Sequence, residues 1–340
     1  MGCVESRSVQ KENVVYDDVL AGLPDLSGKV IAITGTTTGT GYTAARACAQ
    51  KGAHVLMLNR KSERSDAALK SIQDLVPGAK LTAIDCDLMD FESVRAAAAA
   101  IVTACPEGLD VLCNNAGIMA MDDKRTKDGY DIQMQTNHLS HFLLTRELLP
   151  LLEKASKRTG QARIVNHSSG ARKNPAGLEP RFFAKCEENT LGGDGGASLN
   201  PMDFSAPRWT RYQQTKLANV VFTLALNDKL QKKGSKVISV AAAPGMAATN
   251  LMATSHGLPN YLLPLVGFMP TMQSADDGAC PLLQCICSPD VLQGDFIAPK
   301  DESECKGMPI KVELLENCTF EEARPLLWAE SEKACGAFVI

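Results

Sequence analysis

The chain has 340 residues, enough for a single α/β domain with loop insertions and few for two enzyme domains. An apolar fraction of 45% and a charged fraction of 22% are ordinary for a globular protein. The formal charge of −4 argues against broad nucleic-acid binding, which needs clustered basic surface.

Residues 1 to about 26 are polar and aperiodic, and read as an extension ahead of the domain. Within it, Met1-Gly2-Cys3-Val4-Glu5-Ser6 fits the myristoylation pattern, with Cys3 open to palmitoylation. The expected location is cytoplasmic, with attachment to a membrane's cytoplasmic face where Gly2 and Cys3 are acylated. From Lys29 the pattern alternates between strand and helix signals. KVIAIT (29–34) is an apolar, β-branched run of the kind buried on both faces of a sheet. Further strands are expected at 53–58, 80–85, 109–113, 162–167 and 236–241, and helices at 43–51, 90–104, 130–157 and 209–232. This alternation predicts an α/β fold: one doubly wound, Rossmann-type parallel sheet with helices on both faces, spanning 27–335. Ligands of such sheets bind beyond the carboxyl ends of the strands.

Residues 171–208 break the rhythm with Pro175, Pro180, Pro201, Pro207 and the run LGGDGG, and read as an insertion at the edge of the active site. A second irregular stretch, about 250–275, contains the apolar LPNYLLPLVGFMP (258–270), expected to form a flap beside a substrate pocket. No apolar run reaches the eighteen or so residues of a membrane span. Cys48, Cys86 and Cys113 fall in or beside core elements and read as small hydrophobes. Cys280, Cys285 and Cys287 lack a second pair at zinc spacing, so no metal is expected. Without a secretory h-region, the cysteine usage suggests a reducing compartment.

The turn Thr34-Gly35-Thr36-Thr37-Thr38-Gly39-Thr40-Gly41 lies between the first strand and first helix. Glycines there allow backbone to approach a pyrophosphate, and the helix N-terminus supplies N–H groups and a positive dipole end. A flexible turn is the bland alternative. Its spacing resembles the cofactor loop of the short-chain dehydrogenase/reductase family, and the resemblance continues in order: Asn114-Asn115-Ala116-Gly117, Asn137 within TNHLSHFLLT, Ser168-Ser169, Tyr212-xxx-Lys216 and Pro244-Gly245. Together these motifs cover roughly residues 28–250.

The resemblance implies a nicotinamide cofactor held by Gly35, Thr37, Thr38, Gly39, Gly41, Asp87, Asn114, Ala116, Gly117, Tyr212, Lys216, Pro244, Gly245 and Thr249. It makes Tyr212 the proton donor or acceptor, Lys216 its cationic neighbour and a ribose ligand, Ser169 the hydroxyl on the substrate oxygen, and Asn137 the anchor of a relay water. The helix puts Tyr212 and Lys216 on one face, where an ammonium would lower a phenol pKa near 10. Ser169 and Tyr212 are separated by more chain than the family pattern has, so the insertion must loop out for their hydroxyls to meet. Asp85 competes with Asp87 for the adenine role. NAD-preferring relatives place a carboxylate at the end of the second strand, whereas this chain has Asn59 followed by Arg60 and Lys61, a pattern that favours the 2′-phosphate of NADP(H).

NHLSHFLLT, YxxxKLANV and LLWAESEK resemble the retinol-dehydrogenase-like branch. Protochlorophyllide reductases are more distant, because Leu217, Ala218 and Asn219 stand where those enzymes usually have a cysteine. The expected reaction is hydride transfer between NADP(H) and a carbonyl or alcohol, such as a lipophilic aldehyde or ketone or a retinoid- or steroid-like alcohol. A silent NADP-binding sensor and a membrane-anchored interaction protein are the other readings. Neither oligomeric state nor reaction direction is written in the sequence.

Overall fold

The computed structural model describes residues 11–187, 190–191, 204–249, 251 and 272–340. Gly2, Cys3, most of the LGGDGG run and the apolar heart of the expected flap lie outside the described residues.

Among the described residues, eight strands form one sheet: β1 (Val30–Thr34), β2 (His54–Asn59), β3 (Lys80–Asp85), β4 (Val111–Asn114), β5 (Ala162–His167), β6 (Val237–Ala242), β7 (Phe296–Pro299) and β8 (Pro309–Lys311). Their order is β3-β2-β1-β4-β5-β6-β7-β8, parallel throughout except for the antiparallel β7–β8 pair. The chain reverses direction across the sheet between β1 and β4, which opens a crevice at their carboxyl ends. The last two strands were not expected from the sequence; at four and three residues they are too short to show a period.

The connecting helices are α1 (Tyr16–Gly22), α2 (Gly39–Gln50), α3 (Glu63–Leu75) and α4 (Phe91–Ala104), then a helical stretch, α5, made of Ile132–Met134, a π-turn at Gln135–Leu139, and Ser140–Thr159. After it come α6 (Pro207–Lys232), α7 (Ala275–Cys287), α8 (Glu316–Thr319) and α9 (Ala323–Cys335). Two apolar clusters cover the two faces of the sheet. One joins Phe91, Phe142, Leu152, Phe222 and Trp328 to the β4–β5 face, and the other joins Ile31, Val55, Cys48, Leu283 and Ile286.

The polar start of the chain is more than an extension. Tyr16, Val19, Leu23 and Leu26 are buried, and the Asp277 carboxylate accepts the N–H groups of Val14, Val15 and Tyr16. That carboxylate satisfies free donors at the start of α1, a capping role filled from another helix. At the other end, Phe338 stacks on Trp328 and meets Phe142 edge-on at 5.3 Å, so the fold continues past residue 335. The insertion is also partly core: Phe182 and Phe183 are buried in its described portion. Among the described residues, no helix is long and apolar enough to cross a membrane.

Candidate active site

The glycine loop leaves β1 and enters α2. Gly35 takes φ +72°, a conformation costly for any residue with a Cβ, and a methyl added there would come within 2.8 Å of Ala116. A methyl on Gly41 would stand 2.3 Å from both the Gly35 carbonyl oxygen and Asn115 Nδ2. Side chains at these positions would collide with the loop's own backbone and with Ala116 and Asn115, so the glycines let the loop fold tightly against the turn after β4, a shape that suits a pyrophosphate laid against backbone N–H groups.

Neutral polar groups hold this cradle. Asn115 donates to the carbonyls of Thr34 (2.7 Å) and Gly35 (3.2 Å). The Thr34 hydroxyl accepts from the backbone N–H of Asn115 and Ala116, each at 2.9 Å. Asn59 is buried, accepting from Thr36 N and donating to Thr36 Oγ1, both at 2.7 Å. It was expected among the cofactor ligands, but its side chain is committed to shaping the loop. Asn114 likewise turns inward, its amide donating to Thr145 Oγ1 and Asn166 Oδ1. Thr37 and Thr38 are half-buried on the loop, and Arg60 and Lys61 are exposed beside it. Asp85 accepts from the Lys61 backbone at 3.0 Å, whereas half-buried Asp87 accepts from Met89 N at 2.9 Å and begins the next loop.

The Pro244–Thr249 turn closes on the cradle from the other side. A methyl on Gly39 would touch Thr249 at 3.1 Å. Gln273 fixes the turn by donating to the Pro244 carbonyl at 2.7 Å, while its backbone exchanges hydrogen bonds with Met246 and Ala248.

Tyr212 and Lys216 are buried on the first turns of α6, with Lys216 Nζ 5.6 Å from the centre of the Tyr212 ring. Lys216 Nζ donates to the His167 carbonyl at 3.1 Å. A methyl on Gly117 would lie 3.4 Å from that nitrogen and 3.2 Å from Asn137 Oδ1, so the three motifs converge on one point. Ser169 is the half-buried N-cap of a 3-10 turn (Gly170–Lys173); its hydroxyl accepts from Ala171 N at 3.2 Å, and it lies near enough to Tyr212 to lower the phenol. Ser168 points elsewhere, donating to the Lys216 carbonyl at 2.7 Å. The insertion does loop out, which brings Ser169 beside Tyr212.

Two expectations change. Burial pushes the Tyr212 phenol up to about 12, outweighing the lowering from Ser169, instead of Lys216 drawing it toward neutrality. Burial also lowers Lys216 to about 8. The Asn137 amide is already occupied: its oxygen accepts from Ile118 N at 2.8 Å, and its nitrogen donates to the Ile118 carbonyl at 2.9 Å and Thr215 Oγ1 at 3.0 Å. Its backbone carbonyl, in the π-turn, accepts from His141 Nδ1 at 3.1 Å. Both amide hydrogens of Asn137 are thus in use, so any water it anchors must donate to one of its oxygens.

Several site residues carried no sequence signal. His141 Nε2 lies 3.0 Å from Thr34 Oγ1, connecting the π-turn to the glycine loop. The buried pair Arg211–Asp131 (2.7 Å) ties the residue before Tyr212 to the cap of α5. Trp209 packs edge-on against Tyr212 at 6.1 Å and beside half-exposed Phe204 at 4.9 Å. Each depends on a partner distant in the chain or on a helix phase that no short motif reveals.

The comparisons with known proteins agree with this geometry. The sequence model of short chain dehydrogenases matches residues 29–182. An uncharacterized oxidoreductase of Schizosaccharomyces pombe is 36% identical over 271 residues, covering 79% of this chain and 75% of its own. Retinol dehydrogenase 12 of Bos taurus is 32% identical over 313 residues, covering 92% of this chain and 87% of its own. Among solved structures, an uncharacterized protein from Mycobacterium paratuberculosis superposes with a TM-score of 0.71 at 29% identity, covering 94% of this chain and 98% of that one.

Proposed function

Because this chain belongs to the short-chain dehydrogenase/reductase family, on its retinol-dehydrogenase-like branch, we propose that it passes hydride between NADP(H) and a lipophilic carbonyl or alcohol, with Tyr212 handling the proton. The observation that carries this reading is the convergence of Tyr212, Lys216 and Asn137 at Gly117, next to a tightly folded glycine loop between β1 and α2.

The bound nicotinamide supplies or accepts the hydride, and the chain manages the oxygen. In reduction, the Ser169 hydroxyl holds the carbonyl oxygen and the Tyr212 phenol donates its proton as negative charge develops there. A phenol held high by burial carries that proton throughout the neutral range. The Lys216 ammonium then faces the phenolate that forms, and the Coulomb attraction grows in a site with little water.

Asn59 supports NADP(H) over NAD(H) by what it excludes. A carboxylate at this position would repel a 2′-phosphate, whereas the neutral amide adds no such repulsion beside the exposed Arg60 and Lys61. Trp209 and Phe204 give the approach to Tyr212 an aromatic wall, which suits a bulky apolar substrate. Retinol dehydrogenase 12 names a retinoid alcohol as such a substrate for that protein, and retinoid-like aldehydes head the test panel here.

The test is Tyr212→Phe, assayed by NADPH and NADH oxidation against a panel of aliphatic, aromatic and polyene aldehydes. Turnover should fall by roughly 10²–10⁴-fold, the usual contribution of a positioned proton donor, while NADPH still binds. Near-normal turnover in the folded variant would remove Tyr212 from the chemistry, and a wild type inert to the whole panel would favour the silent sensor.

A further inference from the structure

We propose that the buried ion pair between Arg172 and Glu304 is a positioning clamp that holds the Ser169 end of β5 and the Pro244–Thr249 turn in register for hydride transfer. This rests on the reading above, in which Ser169 holds the substrate oxygen and the turn faces the nicotinamide.

Arg172 stands three residues after Ser169 in the 3-10 turn, and its side chain is fully buried. Its guanidinium is fixed on three sides. Nη1 donates to the Ser169 carbonyl at 3.3 Å and pairs with Glu304 Oε2 at 2.8 Å, and Nη2 donates to Glu304 Oε1 at 3.0 Å. The plane lies over the Phe296 ring, 4.0 Å from its centre. The Arg172 carbonyl accepts from Asn317 Nδ2 at 2.9 Å, so its backbone is held as well. The arginine fork makes all these contacts from one planar group, which the ammonium of a lysine does not match.

Glu304 carries the restraint to the other side of the site. Its backbone takes φ +56°, a left-handed conformation uncommon outside glycine, and it is held by Arg172, by Lys173 at 2.9 Å and by its own N–H to Asp301 O at 2.8 Å. Burial pushes the Glu304 carboxyl up, but the two cations more than compensate and keep it ionised. The next carbonyl, of Cys305, accepts from Met246 N at 2.8 Å. A methyl on Gly245 would stand 2.3 Å from that oxygen, so the turn lies directly against Cys305. An unbroken line of contacts therefore runs from Ser169 through Arg172, Glu304 and Cys305 to Met246.

A buried ion pair is poor evidence for stability, because apolar residues of similar volume often replace such pairs without loss. What an apolar pair would not supply is the fork that fixes one carbonyl and one carboxylate at set distances. Misplacement of reacting groups by about an ångström can cost around a hundredfold in rate.

The experiment compares Glu304→Gln, Arg172→Lys and the apolar double variant Arg172→Met/Glu304→Met with wild type and with Lys173→Met, which touches Glu304 but not Ser169. Turnover, NADPH binding, and the isotope effect from NADPH deuterated at the transferred position would be measured. Amide exchange at Met246 and at residues 170–173 would be followed without cofactor. In Glu304→Gln and the double variant, kcat per NADPH-binding site should fall by roughly tenfold or more and the isotope effect should rise, with NADPH affinity within about twofold. Met246 exchange should accelerate. Arg172→Lys should recover part of kcat, and Lys173→Met, which leaves the Arg172 fork on Glu304, should shift the isotope effect and Met246 exchange far less than Glu304→Gln does. If the folded double variant keeps the wild-type isotope effect and Met246 exchange, the clamp is refuted, whatever happens to its melting temperature. Failure of the underlying reading shows separately, as retained turnover in Tyr212→Phe.

Discussion

Around the glycine loop most supporting contacts are between neutral groups: Thr34, Thr36, Asn59 and Asn115 hydrogen-bond with one another and with backbone, and the imidazoles of His141 and His167 reach in only at Thr34 and Asn115. Around Ser169 and Tyr212 the frame is built from ionisable groups, with Arg172 on Glu304, Arg211 on Asp131, and the imidazoles of His138, His141 and His167 buried nearby. The first region needs only backbone shape, which glycine and short amides supply at any pH. The second must set side-chain oxygens and protons in place, and it does so with charges and imidazoles whose geometry holds in one protonation state. The difference predicts that acid acts first on the imidazoles and reaches the loop only through Thr34 and Asn115, which two of them touch.

Burial lowers His138 and His167 to about 3 and His141 to about 4, with the Lys216 charge adding to the last two. A histidine depressed in the fold stabilises it above its unfolded pKa near 6.5, and that stability is lost as pH falls toward the folded value. Between pH 6.5 and about 4, each of the three should cost stability as pH falls, because the unfolded chain takes up a proton that the folded chain does not. Melting temperature should therefore drop steeply over this window, with amides of α5 losing exchange protection before those of β1 and β2. A flat stability profile from pH 7 to 4.5 would show that these imidazoles are not held neutral.

Next in size is the loop itself. Gly41→Ala places a methyl 2.3 Å from backbone oxygen and from Asn115, neither of which can yield without opening the cradle. Overpacking of this kind costs roughly 1–3 kcal/mol. Cofactor affinity should fall by about ten- to hundredfold. Ser169→Ala makes the contrasting variant, lowering kcat while leaving cofactor affinity in place. If both variants failed in the same step, the division between the two regions would be artificial.

The same division explains what could be read from the sequence. Strands β1 to β6 appear as apolar runs within two residues of their observed ends; for β1, β2 and β4 to β6 burial on both faces leaves little freedom of composition, whereas β3 is an edge strand with only Ile84 buried. Helix α7 was not anticipated: Gly278 and Pro281 read as breakers, yet Ser274 caps its start and Gly278 permits close packing on Ala247. Motif residues of the glycine loop, Tyr212, Lys216 and Ser169 could be named in advance and are brought together. Their supports could not. Glu304 lies 132 residues beyond Arg172 and Arg211 lies 80 beyond Asp131, and no local pattern marks which cation meets which carboxylate. Asn59 shows the converse limit: its position was legible, but its side chain's commitment to Thr36 was not.

That commitment sharpens the last and smallest prediction, on cofactor choice. With Asn59 turned inward, the rim groups left to meet a 2′-phosphate are the exposed Arg60 and Lys61, the latter held by its backbone to Asp85. A charge-assisted hydrogen bond is worth about 1.5–3 kcal/mol when sheltered, but an exposed pair is screened and falls at or below the lower end. Arg60→Ala should therefore weaken NADPH by roughly tenfold and leave NADH nearly unchanged, since NADH has no phosphate to lose. The effect should shrink as salt rises, because the Debye length falls from about 10 Å at 0.1 M to about 3 Å at 1 M. Titrating both cofactors into wild type and variant at two ionic strengths decides the matter. Equal losses for NADPH and NADH, or a loss indifferent to salt, would assign Arg60 to the shape of the loop instead of the reading of the phosphate.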